Sequence, residues 1–177
     1  MRGHKGFSLL ELAIVLVVIG FLLGAILQGQ SMIYNARLQK IAADMRQYAQ
    51  ALVLYYDRYG MYPGDENDPA FPPGDSFEGD HNGLVDTAQE SSNAWQDMAS
   101  TLGVVQRGSP VRGGAYQFGA MDFGSGTRNY VSVSNLPNRM AEAIDARHDD
   151  GLWNAGNIRC SSSYDGSDNL VTLYWGI

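Results

Sequence analysis

The first feature of the chain is an uninterrupted apolar stretch. Residues 7 to 27 read FSLLELAIVLVVIGFLLGAIL, in which Glu11 is the only ionisable side chain. As a helix, this stretch spans roughly 30 Å, the thickness of the hydrocarbon core of a bilayer. It follows a short leader that contains Arg2, His4 and Lys5, and the next basic residue is Arg37. By the positive-inside rule, this pattern predicts a single-pass anchor with a cytoplasmic N-terminus and a periplasmic remainder.

A cleaved secretory signal is the alternative interpretation of the same stretch. The apolar region of such a signal runs for about 7–15 residues and ends at a small-x-small cleavage site. Here the run is longer, and Gln28-Gly29-Gln30 makes a poor site. The length therefore favours a permanent anchor over a conventional signal.

Two features inside the apolar run invite a functional explanation. A carboxylate near the bilayer interior costs about 2.5–3.5 kcal/mol on insertion scales. We therefore expect Glu11 to pair with a group on another chain or at a new N-terminus. The alternative is that its carboxylate lies close enough to the membrane–water interface to remain hydrated. Gly20 and Gly24 form a G-x-x-x-G pattern, which is typical of a close helix–helix contact but also of a point where a helix bends.

A second helical pattern follows the anchor. Apolar and aromatic residues recur at spacings of 4, 3, 4, 3, 4, 3 and 4, at Tyr34, Leu38, Ile41, Met45, Tyr48, Leu52, Tyr55 and Tyr59. This stripe predicts an amphipathic helix over residues 28–60 that continues the anchor without a break and ends at Gly60. A coiled coil would give the same spacing, but a stripe this short, followed by a globular region, favours packing against the protein's own sheet.

The rest of the chain predicts a loop-rich head over residues 61–177. Residues 63 to 86 are rich in Pro, Asp and Gly and predict a loop. Thr87-x-x-Glu90 is a capping-box pattern that predicts a short helix ending at Gly103. We predict strands over 116–119, 128–134, 157–160 and 170–175, and a short helix over 137–147. The layout is α+β: one long helix packed on a small antiparallel sheet.

The composition argues against a nucleic-acid-binding protein and against sites that need several cysteines. The chain has 177 residues, with 12 Lys and Arg against 19 Asp and Glu, so its formal net charge is −7. This balance argues against direct nucleic-acid binding, which needs a basic surface. Cys160 is the only cysteine, which excludes an internal disulfide and a multi-cysteine metal site.

The sequence does not predict an enzyme. Outside the leader, the histidines are His81 and His148, and no G-x-S-x-G, P-loop or H-E-x-x-H motif occurs. Cys160 follows Arg159, which could activate its thiol, although a small residue in a strand is the simpler interpretation. Because no nucleophile, base and orienting group converge in the sequence, we predict no catalytic residues.

The residues Gly6-Phe7-Ser8-Leu9-Leu10-Glu11, behind a basic leader and ahead of an apolar run, resemble the prepilin signature of type IV pilins and type II secretion pseudopilins. The resemblance implies that a prepilin peptidase removes the leader, residues 1–6, by cutting between Gly6 and Phe7, and methylates the new amine of Phe7. Loss of Arg2 and Lys5 leaves 10 basic and 19 acidic residues in the mature chain.

The resemblance also implies a function. The chain would be the precursor of a type IV pilus subunit, held in the inner membrane by residues 7–27 and assembled into filaments by a membrane platform and its ATPase. Glu11 would pair with the Phe7 ammonium of a neighbouring copy, which would set the register of docking. Two alternatives stay open: a type II secretion pseudopilin, and a membrane-tethered periplasmic binding module that does not polymerise.

The loop before the second helix carries candidate metal ligands. Carboxylate or carboxamide oxygens recur at every second residue and a glycine follows at position 83, as in the first part of a calcium loop of the EF-hand type. The twelfth position is Gln89 and no helix precedes the loop, so we predict an open calcium loop, with a solvated turn as the alternative. The resemblance strengthens this expectation, since some pseudopilins bind calcium. The predicted ligands are Glu78, Asp80, Asn82 and Asp86.

Overall fold

The computed structural model describes residues 8–68, 71–72 and 77–177. The chain divides into two compact units, Met1–Arg37 and Leu38–Ile177; the first is described from Ser8 onward. Helix α1 covers Leu9–Tyr59 as a single α-helix. It ends where the sequence predicts, because Gly60 adopts a left-handed conformation with φ of 74°.

The apolar part of α1 has the length and composition of a membrane span. Among the described residues, α1 is the one helix that is long and apolar enough to cross a bilayer, and none of its most apolar 18-residue window is buried by the protein. Leu9 and Phe21 are 86 % and 78 % exposed. These side chains therefore need a cover that the described part of the chain does not supply.

The second unit, which we call the head, is built on the amphipathic part of α1. The predicted stripe is buried from Leu38 to Tyr55, and the buried members are Leu38, Ile41, Met45, Tyr48, Leu52 and Tyr55. Tyr48 is the aromatic centre of the core: its ring lies edge-on to those of Trp95 and Tyr116, at centroid distances of 4.9 and 5.2 Å. This confirms the interpretation of the stripe as a core surface rather than a coiled coil.

Helix α2 covers Ala88–Leu102 and has the predicted caps. The hydroxyl of Thr87 accepts from the backbone N–H of Glu90, while the Glu90 carboxylate accepts from the backbone N–H of Thr87. Gly103 ends the helix in the left-handed conformation. Each of these contacts is local, which is why the capping-box pattern located the helix correctly.

The sheet has four antiparallel strands in the order β1-β2-β4-β3. Its strands are β1 Tyr116–Asp122, β2 Thr127–Pro137, β3 Ile158–Cys160 and β4 Leu170–Gly176, and helix α3, Asn138–His148, connects β2 to β3. The α+β prediction is thus confirmed. Strands β1 and β2 run further than predicted, because they pair as far as Asp122 and Thr127, close to a tight turn that the sequence marks only by its glycines. Strands β1 and β3 form the two edges of the sheet.

Candidate functional site

The signature at the N-terminus lies partly outside the described residues. Gly6 and Phe7, the predicted cleavage and methylation positions, fall there, so these assignments stay predictions. The first described residue, Ser8, directly precedes helix α1. The Ser8 hydroxyl accepts from the backbone N–H of Leu10 at 3.3 Å, as an N-cap residue does.

Glu11 has a partner within its own chain. Its carboxylate accepts the backbone N–H of Ser8 at 2.8 Å. Within this chain, the partner of Glu11 is thus an otherwise unpaired backbone donor at the start of the helix. The Ser8-x-x-Glu11 spacing, a capping-box pattern, was the signal that could have revealed the contact. A negative group at this position also complements the positive end of the helix.

Gly20 and Gly24 lie within an unbroken helix. A methyl group placed on either glycine would meet no atom within 4 Å. The two glycines and the neighbouring Val17, Phe21 and Ala25 line one shallow groove. The α-helix is continuous through both glycines. The assignment of Gly20 and Gly24 to helix packing stays a prediction, since it requires a second chain.

The predicted calcium loop is organised around an asparagine. The Asn82 amide nitrogen donates to Asp80 at 2.9 Å and to Asp86 at 3.2 Å, while its backbone N–H donates to Asp80 at 3.1 Å. His81 and Gly83 have positive φ angles of 56° and 86°, which fold the loop tightly around this side chain. Among the described residues, a hydrogen-bonded turn is thus the arrangement that the Asp and Asn pattern produces.

The structure adds a buried carboxylate that the sequence did not associate with this loop. Asp65 is 1 % exposed, and it accepts the backbone N–H groups of Asn82 at 3.1 Å and Gly83 at 2.8 Å. Burial raises the pKa of Asp65 to about 6, and the backbone donors partly oppose this shift. Oxygen atoms of Asp65, Asp80 and Glu90 come within 4.8 Å of one another.

This donor set suits a hard cation, since three carboxylates offer only oxygen ligands. It differs from the predicted set, because Asp65 and Glu90 stand beside Asp80 where the sequence suggested Glu78 and Asp86. Calcium binding and the assignment of Glu78, Asp80, Asn82 and Asp86 as ligands stay predictions. Asp65 lies 15 residues upstream of Asp80, and no spacing rule links the two.

A second group of carboxylates closes the end of helix α3. Asp145 accepts from the Tyr164 hydroxyl at 2.7 Å and from the backbone N–H of Gly151 at 3.3 Å. Asp149 accepts the backbone N–H groups of Asn157 and Ile158. Burial raises the pKa of Asp145, and nearby Asp150 and Asp149 add to the increase. These bonds make the group a helix end followed by a turn.

The residues considered for chemistry are held in structural contacts. Cys160 is 6 % exposed in strand β3, and burial raises the pKa of its thiol, which disfavours the reactive thiolate. The Arg159 guanidinium instead donates to the backbone carbonyl of Phe123. His148 lies 2.8 Å from Arg46, between ring nitrogen Nδ1 and guanidinium nitrogen Nη2.

Comparison with protein families identifies the signature. Residues 1–27 match the family described as the prokaryotic N-terminal methylation motif, the signature of type IV pilins and pseudopilins. A search of curated proteins finds no match, and a search of solved structures finds none either.

The protein class follows from this motif together with the long apolar helix. The motif supports a pilin-like or pseudopilin precursor, and its family is one of structural subunits rather than enzymes. The signature implies processing by prepilin peptidase and polymerisation into filaments, and it fits a protein anchored in the inner membrane.

Proposed function

We propose that this chain is the precursor of a structural subunit of a type IV pilus or pilus-like filament. The observation that carries the proposal is the methylation motif at residues 1–27, joined to a helix whose apolar side chains are left uncovered by the residues that the structure describes. Before assembly, the bilayer covers these side chains, with the N-terminus in the cytoplasm and the head in the periplasm. After assembly, the equivalent helices of other copies cover them.

Burial of these side chains supplies ample packing energy. Each large aliphatic side chain contributes about 1.5–3 kcal/mol when it leaves water. Most of this gain is already realised in the bilayer, so transfer from the membrane into the filament needs external work. A membrane platform with an ATPase, as the family resemblance implies, would supply that work.

Glu11 would act at the point where one subunit docks on the next. Cleavage after Gly6 creates an ammonium group at Phe7, which is mostly charged at neutral pH. In the low-dielectric core of a helix bundle, this ammonium on a neighbouring copy offsets the desolvation of the Glu11 carboxylate. A copy shifted along the bundle would leave both charges unpaired, so the pair would select one register.

N-terminal sequencing of the protein from membranes and from sheared filaments tests the proposal. We expect a chain that begins with N-methylated Phe7 in both fractions, and purified fibres that contain the protein. An intact Met1, or a cut after Gly29, would instead identify a tethered periplasmic module or a secreted domain.

Two substitutions separate the two roles of Glu11. Glu11→Ala removes the negative charge and the bond to Ser8, whereas Glu11→Gln removes the charge but keeps an oxygen that can accept that bond. If charge pairing drives docking, both variants stay in the membrane, are processed, and fail to enter fibres. Normal incorporation of Glu11→Gln would show that helix capping is sufficient and would reject the pairing.

A pseudopilin of a type II secretion system is the second candidate. The observation that favours it is Cys160, the only cysteine, since many pilins close a C-terminal loop with a cysteine pair. Deletion of the gene distinguishes the two candidates: loss of surface fibres indicates a pilus subunit, and retention of secreted enzymes in the periplasm indicates a pseudopilin.

A further inference from the structure

Both edges of the head sheet are closed by hydrogen bonds from outside the sheet. At β1, the Gln106 side chain donates to the backbone carbonyl of Tyr116 at 2.6 Å, and the Ser91 hydroxyl donates to that of Phe118 at 2.7 Å. These bonds occupy carbonyl groups that an added strand would otherwise use. The β1 edge is therefore poorly suited to sheet extension.

The opposite edge, strand β3, is closed in a similar way. The backbone N–H of Cys160 donates to the Trp153 carbonyl at 2.8 Å, and that of Ile158 donates to the Asp149 carboxylate at 2.7 Å. Because both edges are covered, a neighbouring head that approaches either edge of the sheet meets the segments that cover it. At β1 these segments are helix α2, which carries Ser91, and residues 103–115, here the arginine loop; at β3 the segment is residues 149–157, here the aspartate loop.

The two loops carry opposite charge. The arginine loop contains Arg107 and Arg112 and no acidic residue, whereas the aspartate loop contains Asp149 and Asp150 and no basic residue. Arg112 is exposed and has no hydrogen-bond or ion-pair partner among the described residues. Arg107 is anchored by a 3.0 Å bond to Gln47 and pairs with the Asp44 carboxylate at 3.7 Å, and its side chain stays half exposed.

Each loop also exposes large apolar side chains beside its charges. Val105 of the arginine loop is 59 % exposed. In the aspartate loop, Leu152 is 56 % and Trp153 is 39 % exposed. Tryptophan and arginine are residue types that are enriched in protein interfaces, and apolar contacts beside charged ones are typical of such surfaces.

We propose that the arginine loop of one copy docks on the aspartate loop of a second copy in the filament. Because the sheet order β1-β2-β4-β3 puts the loops at opposite edges, each head offers one loop to a neighbour on either side. Such a contact joins two different patches, so it does not close on itself in a dimer and can continue from copy to copy. The inference rests on the proposed function and adds a lateral contact between heads to the packing of the apolar helices.

Cysteine cross-linking in assembled filaments tests this contact directly. Val105→Cys and Leu152→Cys are combined in the full chain with Cys160→Ala, and the filaments are treated with a short bis-maleimide. We expect a ladder of dimers, trimers and longer products from the double variant, and monomers from each single variant. Val105→Cys combined with Leu170→Cys is the matched control, because Leu170 is 63 % exposed but lies in neither loop; it should give no ladder.

The outcomes separate the inference from the proposed function. If filaments form and the double variant gives no ladder, or if Leu152→Cys alone gives dimers, the loop-to-loop contact is rejected while the filament subunit stands. If wild-type protein, correctly processed, forms no filament, the proposed function itself fails, and the contact fails with it.

The charge on Arg112 gives an independent test. Arg112→Glu places a negative charge opposite the aspartate loop, and we expect the polymerised fraction to fall by about fivefold, the scale of an exposed ion pair. Arg112→Lys keeps the charge and should polymerise like wild type. Equal polymerisation of the glutamate and lysine variants would contradict the electrostatic part of the contact.

Discussion

The hydroxyl of Tyr116 in strand β1 donates to the carboxylate of Asp44 on helix α1 at 3.1 Å, inside the head. Asp44 is 4 % exposed and also accepts from Lys40 at 2.9 Å. Burial raises the pKa of Tyr116, and the neighbouring Asp44 raises it further, so the hydroxyl stays a donor throughout the neutral range. This bond ties the helix to the first strand of the sheet.

Removal of either partner should destabilise the head by different amounts. We expect Tyr116→Phe to lower the free energy of unfolding by about 1 kcal/mol, because Asp44 keeps its bond to Lys40. Asp44→Ala removes the carboxylate that accepts from the buried hydroxyl, together with its ion pairs to Lys40 and Arg107, and should lower it by about 1–3 kcal/mol. Urea denaturation of the full chain in detergent, followed by near-UV circular dichroism, measures both. A larger effect of Tyr116→Phe than of Asp44→Ala would contradict this account.

Two glycines should differ sharply in their tolerance of alanine. Gly60 and Gly64 both have positive φ, 74° and 83°. A methyl group at Gly60 meets nothing within 4 Å, whereas one at Gly64 would collide with the backbone carbonyl of Glu90 in helix α2. We expect Gly60→Ala to lower the free energy of unfolding by about 1–2 kcal/mol through backbone strain. Gly64→Ala should lose roughly 1–3 kcal/mol more, because the helix must move.

Thermal unfolding of the two variants measures this difference, with Gly60→Ala as the control for backbone strain alone. Equal melting temperatures for the two variants would show that the loop and helix α2 can separate at no cost. In that case, the close packing around Gly64 would not contribute to stability.

His148 should make the head less stable in mild acid. Burial lowers the pKa of His148, and the positive charges of Arg46 and Arg147 lower it further. The Trp175 ring, 5.8 Å from the imidazole, adds no charge. The folded protein thus binds the proton less tightly than the unfolded chain, in which the imidazole pKa is about 6.5. The contribution of His148 to stability is therefore full above this pH and is lost as the pH falls from it through the lower pKa of the folded protein.

The melting temperature of wild type and of His148→Gln, measured across this pH range, isolates the effect. Asp65 acts in the opposite direction, because its raised pKa of about 6 adds stability that disappears as the pH rises. The difference between wild type and variant cancels the Asp65 contribution. We expect the variant to lose less stability in acid than wild type; parallel curves would exclude a role for His148.

Calcium binding by the loop is tested by calorimetry with Ca²⁺ and with Mg²⁺. If Asp65, Asp80 and Glu90 act together, we expect binding in the range of extracellular calcium modules, about 10⁻⁴–10⁻³ M. The melting temperature should then rise in millimolar Ca²⁺ and fall back after chelation. Asp80→Asn should abolish the shift, and Asp150→Asn, in the other group of carboxylates, should leave it unchanged. No heat and no shift would dismiss the site.

The local sequence patterns predicted the elements of this protein well. The apolar run, the stripe from Leu38 to Tyr55 and the capping box at Thr87 each depend on residues within a few positions of one another. Helix ends follow the same logic, because Gly60 and Gly103 supply a conformation that most side chains disfavour. The Ser8–Glu11 contact is equally local, and its signal is the capping-box spacing of the two residues.

The tertiary structure decided which distant residues meet. It brought Asp65 to Asp80, tied Tyr116 to Asp44, and set the arginine and aspartate loops at opposite edges of the sheet. Periodicity and capping patterns depend on residues within a single helix or strand. The sequence by itself therefore determined the anchor, the elements and the methylation motif. Contacts between elements depend instead on the strand order and on how side chains fill the core, and these are properties of the whole chain that no short pattern contains.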